Sequence, residues 1–166
     1  MSPIQWAVRP LRKYADFSGR APRAEYWWFT LASGVAAILL GFVDDAVSEP
    51  VMGIYGPISL LLTVALFVPS LAVLVRRLHD IDRTGWWALL DVGSYVLVVG
   101  GLLTPDPQRL YNPFQAMSPI VMLAVVLMWT ISAVVLLVFM ITSGTDGPNE
   151  YGSDPYGSSK PDEGFA

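Results

Sequence analysis

The feature that most limits the fold of this chain is an apolar run over about residues 120–142, which contains no charged side chain. A transmembrane helix needs about 20 mostly apolar residues, because the hydrocarbon core is about 30 Å thick and each helical residue rises about 1.5 Å. Three further stretches approach that length, at about 26–43, 54–75 and 86–103. The sequence therefore predicts an all-α polytopic membrane bundle with four transmembrane helices.

The composition agrees with this class, since 54% of the residues are hydrophobic and only 14% are charged. The third predicted span is the weakest, because it is short and carries Asp91. A bundle of three spans with a re-entrant or interfacial segment is therefore a second interpretation. Pro69 lies inside the second span and is expected to bend it, which a membrane helix tolerates when neighbouring groups satisfy the freed carbonyl.

Basic residues in short connections predict which side of the membrane each connection occupies, because they resist translocation and stay in the cytoplasm. They precede the first span and lie between the second and the third, whereas the third connection contains only Arg109. Both termini are then cytoplasmic if there are four spans, and the three-span alternative reverses the C-terminal side. The basic residues are Arg9, Arg12, Lys13, Arg20 and Arg23 in the first group, and Arg76, Arg77 and Arg83 in the second.

These patterns divide the chain into three parts. Residues 1–25 form a basic cytoplasmic segment, residues 26–142 form the transmembrane domain, and residues 143–166 form a cytoplasmic acidic tail. The tail is rich in Gly, Pro, Ser and acids, so it is expected to be exposed and partly disordered. Nucleic acid is an unsuitable partner for a chain of net charge −4, and the absence of cysteine excludes disulfides and thiolate metal sites.

Three segments carry a resemblance to a known family. They are residues 17–27 (FSGRAPRAEYW), residues 76–87 (RRLHDIDRTGWW) and, more weakly, residues 144–155 (GTDGPNEYGSDP). The chain resembles the YhaH-like small bacterial inner-membrane proteins, the domain of unknown function 805 family. The resemblance implies a multi-pass protein of the bacterial inner membrane, and it brings no catalytic residue, substrate or cofactor. Asp82 departs from the family pattern, in which Gly is common at this position.

The first two motifs define a candidate binding cluster at the cytoplasmic ends of the helices. Arginines beside tryptophans at the headgroup level attract anionic lipids, at about 1 kcal/mol per basic residue. A plainer interpretation is that these arginines only fix the topology. His79 lies in a predicted loop, where hydrogen bonding is a better-supported role than metal binding, because no second ligand stands at helical spacing. The cluster comprises Arg20, Arg23, Glu25, Arg76, Arg77, His79, Asp80, Arg83, Trp86 and Trp87.

Asp91 marks a second candidate site, since a charged carboxylate inside a span must face protein or water. Ser94 and Tyr95 share its helical face. This polar patch would either pair with the region of Arg76 and Arg77 or line a path for a solute or proton. The tail supplies a third set, expected to fold over the arginines through opposite charge: Asp146, Asn149, Glu150 and Asp154.

The function favoured by these patterns is binding or organisation at the cytoplasmic face, with anionic lipid headgroups or a membrane protein as partner and with homo-oligomers possible in principle. The alternative is a component of a small-solute or ion transporter or channel, which would require oligomerisation because a lone four-helix bundle fills its own interior. Phosphate loops and nucleophile elbows are missing from the sequence. We therefore expect no enzymatic activity, no cofactor and no metal.

Overall fold

The computed structural model describes residues 1–47, 56–90 and 119–157, with residues 121 and 122 described in their backbone alone. These residues form four α-helices and one 3₁₀ turn, and their only β-type pairing is an isolated bridge between Asn149 and Gly152. The described part of the chain is thus all-α, as predicted. The elements are α1 (Pro3–Arg12), α2 (Arg23–Val47), α3 (Pro57–Asp80), the 3₁₀ turn (Gly85–Ala88) and α4 (Pro119–Ile141).

Three of these helices are long and apolar enough to cross a membrane: α2, α3 and the Leu123–Ile141 part of α4. They correspond to the first, second and fourth predicted spans. Few of their residues are buried inside the protein, so most of their apolar side chains face outward, as lipid-facing helices require. The third predicted span is described only as far as Leu90, and Asp91, Ser94 and Tyr95 lie outside the described residues.

The predicted end of the second span falls within α3 and not at the end of that helix. It was placed at about residue 75, but α3 continues to Asp80, so Arg76, Arg77 and His79 lie in the last turns of a helix rather than in a loop. The physical reason is that hydropathy ends a span at its first charge, whereas arginine is a good helix former. The charged end of the helix is therefore as regular as its apolar part.

The helix end itself is closed by a Schellman motif. The amide of Arg83 donates to the carbonyl of Leu78 (2.9 Å), and the amide of Asp82 donates to the carbonyl of His79 (3.2 Å). Asp82 has the positive φ, +58°, that this motif requires at the position after the C-cap and that glycine usually provides. The departure from the family pattern noted above thus falls on the one residue here whose backbone favours glycine.

The interior proline of α3 is accommodated by a contact from outside the helix. Pro69 has no amide hydrogen, so the carbonyl of Ala65 loses its helical partner. The hydroxyl of Tyr14 donates to that oxygen at 2.6 Å. This contact fastens the segment after α1 to the middle of α3.

The opposite ends of α2 and α3 are joined by Asp44, which is buried near the end of α2. Its carboxylate accepts from the amides of Ile58 (3.0 Å) and Ser59 (2.7 Å) in the first turn of α3. These amides have no helical partner of their own, and the helix dipole favours a negative charge there. Gly56 is required beside it, because a Cβ at that position would overlap the Asp44 side chain.

The core lies at the end of the bundle where α2 begins and where α3 and α4 both end. One cluster contains Leu74, Leu78, Ala88 and Met140, and a second contains Ala21, Phe29 and Val73. The amide of Ala21 also donates to the carbonyl of Arg76 at 2.9 Å, which ties the segment before α2 to α3. We call this end of the bundle the arginine end.

Candidate functional site

The centre of the arginine end is the carboxylate of Asp80, which lies between two guanidinium groups. Its Oδ1 accepts from Nε of Arg20 at 3.0 Å, and its Oδ2 accepts from Nη1 of Arg77. All three side chains are at most 4% exposed. A carboxylate in the last turn of α3 therefore joins an arginine of its own helix to one that precedes α2.

Glu25 forms the second ionic centre, in the first turn of α2. Its Oε1 accepts from Nη2 of Arg76 at 2.9 Å, and its Oε2 lies 3.4 Å from Nε of Arg9 in α1. Arg76 also donates through Nη1 to the backbone carbonyls of Lys13 and Asp16. This centre links α1, the segment that follows it, α2 and α3.

The arginines also cap the C-terminal end of α4. Nε and Nη2 of Arg77 each lie 3.4 Å from the carbonyl oxygen of Met140, and Nη2 also donates to Thr142. Nη1 of Arg23 donates to the carbonyl of Ile141 at 3.2 Å. The last carbonyls of a helix lack helical partners and carry its negative dipole end, so cations are favourable there.

This arrangement explains how buried positive charge is tolerated. A buried ion pair repays its loss of hydration only when further hydrogen bonds satisfy the remaining donors. Here carbonyls of α4, of the segment after α1 and of the tail accept from guanidinium N–H groups that Asp80 and Glu25 leave unpaired, and among the arginines described here Nε of Arg76 is the one buried donor without a partner. The sequence prediction treated Arg20, Arg76 and Arg77 as part of a surface that attracts lipid, whereas the structure buries them.

The tail covers Arg20 through its backbone. The carbonyls of Gly147 and Thr145 accept from Nη1 and Nη2 of Arg20, both at 2.6 Å. The amide of Thr145 donates to the carbonyl of Asp80 at 2.8 Å. Gly144 packs so closely that a Cβ there would overlap the Asp80 carboxylate.

A second set of tail contacts encloses His79. The side-chain amide of Asn149 donates to the His79 carbonyl at 2.8 Å, and the ring of Tyr151 stacks on the imidazole with centroids 3.9 Å apart and planes within 6°. On its other side, Nδ1 of His79 lies 3.2 Å from the carbonyl oxygen of Gly19, so that nitrogen carries the hydrogen. His79 thus has hydrogen-bonding partners, but from within a helix.

The acidic groups of the tail do not carry these contacts. Asp146 and Glu150 are exposed and Asp154 is half-buried, and within the described residues none of the three forms an ion pair with an arginine. Residues 143–157 lie against the arginine end through carbonyls, an amide and an aromatic ring instead. We expected opposite charges to hold the tail over the arginines, whereas its described contacts are hydrogen bonds and the stacking of an aromatic ring.

The remaining residues of the predicted cluster are exposed. The guanidinium of Arg83 lies 5.9 Å from the ring centroid of Phe139 in α4, and the ring of Trp87 meets the same ring edge-on at 5.3 Å. Trp86 is 75% exposed. Arg23, Arg83 and Trp87 thus contact the last turn of α4, and Trp86 is next to Trp87 in the 3₁₀ turn. We call Arg23, Arg83, Trp86 and Trp87 the exposed rim.

Beside the rim a cavity of about 250 Å³ opens between the tail and the helix ends. Arg20, Arg23 and Asp80 line it on one side, and Asp154 and Tyr156 on the other. Within the described ranges, no group of three or more His, Asp or Glu side chains is arranged to hold a metal ion.

Sequence reasoning missed the part played by the segment after α1. The hydroxyl and amide of Ser18 donate to the carboxylate of Asp16, and Nζ of Lys13 lies 3.2 Å away. The hydrogen bond from the Ser18 hydroxyl is the main cause that lowers the pKa of Asp16 from 3.8 to about 2. The signal was present as Asp-Phe-Ser, because an Asp two residues before a Ser forms such turns, and this turn presents the Asp16 carbonyl to Arg76.

Comparison with known proteins finds relatives that match most of the chain. It is 35% identical to the inner membrane protein YhaI of Escherichia coli (strain K12), over 92% of this chain and 96% of the relative. It is 30% identical to the inner membrane protein YhaH of the same organism, over 92% and 97%. The uncharacterized protein YiiR of that organism is 26% identical over 84% and 85%.

No solved structure matches the chain significantly. The family model for proteins of unknown function DUF805 matches residues 14–153, which include the first two motifs, all but the last two residues of the third, and the buried Arg20, Arg76 and Arg77. The resemblance drawn from the motifs is thereby confirmed. This membrane protein belongs to the DUF805 family.

Proposed function

We propose that this chain is an inner-membrane binding protein that recognises anionic phospholipid headgroups at its arginine end. The observation that carries the proposal is the division of the arginines. Arg20, Arg76 and Arg77 are buried and paired, so they hold the helix ends together. Arg23 and Arg83 are exposed and stand beside tryptophans, where a ligand can reach them.

The exposed rim has the composition expected for headgroup binding. Within the described residues, Arg23 uses one of its donors on Ile141, and Arg83 faces the ring of Phe139, so their remaining N–H groups are available to a phosphate. Trp86 and Trp87 suit the headgroup zone, where an indole has an apolar body and a polar N–H. Both arginines contact the last turn of α4, Arg23 at the carbonyl of Ile141 and Arg83 at the ring of Phe139. A headgroup between them would be held by charge and by aromatic contact.

The membrane topology that goes with this proposal has four spans, with residues 1–25 and the tail in the cytoplasm. Support comes from the directions of the helices, since α2 begins at the arginine end whereas α3 and α4 both end there. Leu90 lines the same groove as Trp129 and Ala133, which lie about two to three turns before the end of α4. The basic residues of the arginine end favour its cytoplasmic placement.

The transporter alternative depends on Asp91, Ser94 and Tyr95, which lie outside the described residues. No contact among those that are described favours it. Headgroup binding has direct support from the rim and is the function that we propose.

The test is lipid binding by the purified full chain, measured by native mass spectrometry with phosphatidylglycerol and, in parallel, phosphatidylcholine. The variant is Arg23→Gln with Arg83→Gln. At about 1 kcal/mol for each basic residue, its affinity for phosphatidylglycerol should fall about 30-fold, while that for phosphatidylcholine changes little. Arg109→Gln is the control and is compared with each single variant, because it removes one positive charge from the connection proposed for the other side.

The proposal is wrong if the double variant binds phosphatidylglycerol as the native chain does. An equal loss in the Arg109→Gln control would also overturn it, since binding would then reflect total charge. Reporter fusions after residue 142 and near residues 49 and 112 check the topology separately. An external reporter after residue 142 would exclude four spans with a cytoplasmic start.

A further inference from the structure

We propose that α1 (Pro3–Arg12) is an interfacial helix that lies in the plane of one leaflet, with its apolar face in the boundary between headgroups and acyl chains. This inference concerns residues outside the exposed rim and does not depend on headgroup recognition there. The helix was not among the predicted spans, because it is far too short to cross a membrane. Its residues instead divide into three faces with three different surroundings.

The first face is apolar and exposed. Ile4, Val8 and Leu11 follow one another at intervals of four and three residues, which places them on one side of a helix. They are 76%, 36% and 44% exposed. Exposed aliphatic side chains in a continuous stripe indicate that something apolar covers them.

The second face packs on the protein. Pro10 is buried, Trp6 and Ala7 are half-buried, and the guanidinium of Arg9 lies 3.4 Å from Glu25 in α2. The start of the helix is fixed as well, because Ser2 and Gln5 form a reciprocal capping box. The helix is therefore held against α2 in one orientation rather than left free.

The third face is polar. Gln5 and Arg12 are exposed and lie about a quarter turn from the middle of the apolar stripe, and Lys13 follows directly. A helix with protein on one side, an apolar stripe on another and basic residues on the third fits the membrane surface. There the neighbours are the bundle beside it, acyl chains below it and water with phosphates above it.

Two observations favour lipid over other partners for the apolar stripe. The neighbouring α2 is long and apolar enough to cross a membrane and also exposes apolar side chains, since its Trp28 and Leu31 are 40% and 55% exposed. Immediately after α1, Tyr14 reaches the carbonyl of Ala65 in the middle of α3. The carbonyl of Lys13 also accepts from Nη1 of Arg76, which follows the apolar part of α3, so the end of α1 lies at the level where that apolar part ends.

The test uses the natural absence of cysteine, which lets one label be placed at will. Full-length Ile4→Cys and Leu11→Cys variants are labelled with an environment-sensitive fluorophore and reconstituted in phosphatidylglycerol vesicles whose acyl chains are brominated near the headgroup. Arg12→Cys is the matched control on the polar face. We expect bromine to quench the two apolar positions several-fold more than the control, with blue-shifted emission.

Equal quenching at all three positions would overturn the proposal. So would strong cysteine crosslinking between copies through Ile4→Cys without quenching, because the stripe would then be a contact between two chains. A soluble protein as the occupant predicts neither quenching nor a blue shift in vesicles that contain this chain alone. Failure of headgroup binding at the exposed rim would leave these quenching results unchanged.

Discussion

The buried and exposed arginines come from the same two short motifs, yet they have different surroundings. Arg20 and Arg23 stand three residues apart, and the first is 7% exposed while the second is on the surface. In the second motif Arg76 and Arg77 are fully buried and Arg83 is exposed. Position relative to the helix ends, rather than charge, decides which group becomes structural.

The buried arginines have two kinds of acceptor within reach. Asp80 and Glu25 supply carboxylates, and the ends of α3 and α4 supply carbonyls that lack helical partners. Among the described contacts Arg23 reaches one such carbonyl, and Arg83 is the last residue of the Schellman motif, where the helix has already ended. The comparison teaches that basic residues beside a membrane can form a buried polar core, and that only some of them remain exposed.

The variant that tests this comparison most severely is Asp80→Asn. It keeps the shape of the side chain but leaves Arg20 and Arg77 as buried charges without a carboxylate, which costs about 3–5 kcal/mol. We expect a large loss of folded protein on heating in detergent, followed by size-exclusion chromatography. Asp146→Asn removes the same charge from an exposed tail residue and should change stability by at most about 0.5 kcal/mol.

If neither variant loses stability, the contacts of Asp80 do not stabilise the fold. If instead both variants unfold early, net charge rather than the buried pair is the cause.

Arg23→Gln and Arg83→Gln complete the comparison, because exposed pairs contribute about 0–1 kcal/mol each. They should leave the melting temperature nearly unchanged while they affect lipid binding.

Much of this architecture follows from local sequence. The apolar runs predicted three helices that the structure describes, and Pro69 predicted a carbonyl in need of a partner, which Tyr14 provides. Such features depend on residues within one helix and on the thickness of a bilayer. They can therefore be predicted without knowledge of the remaining fold.

Features that depend on distant partners could not be predicted. The burial of Arg77 depends on carbonyls of Met140 and Thr142, more than 60 positions away. The contact between the tail and the arginines was predicted from the acidic residues of the tail. Arg20 is instead bound by backbone carbonyls of the tail, which every residue has, so composition cannot predict this contact. The second span was predicted to end before α3 does. Hydropathy ends a span at its first charges, and it cannot show that other segments neutralise those charges and that the helix continues.

A variant of intermediate effect separates the tail from the helices. Gly144→Ala places a Cβ where it overlaps the Asp80 carboxylate, so either the tail or Asp80 must move. Overpacking of this kind costs about 1–3 kcal/mol. We expect earlier melting and faster proteolytic cleavage within residues 145–156.

Ser143→Ala is the control, since Ser143 is exposed and its neighbours should accept the change. If Gly144→Ala melts as the native chain does and resists the protease equally, the tail does not pack on Asp80 as described. An effect on proteolysis alone would instead show that the tail moves away and leaves the ion pairs intact. That outcome would assign the stability of the arginine end to Asp80 and Glu25.

The smallest expected effect is at Asp82, between the buried and exposed arginines of the second motif. Its φ of +58° is a conformation that glycine adopts freely and that other residues adopt at some cost, although Asp tolerates it better than most. Asp82→Gly should therefore stabilise the chain slightly, by up to about 1 kcal/mol, because it relieves the Schellman position without removing a described ion pair. Asp82→Ala should destabilise it by a similar amount, since alanine has the Cβ without a side chain that can bond locally. Melting temperatures of the two variants in the same detergent measure the difference. If Gly destabilises as much as Ala, the carboxylate of Asp82 contributes to the arginine end directly, and the boundary between buried and exposed groups lies further along the chain than Asp80.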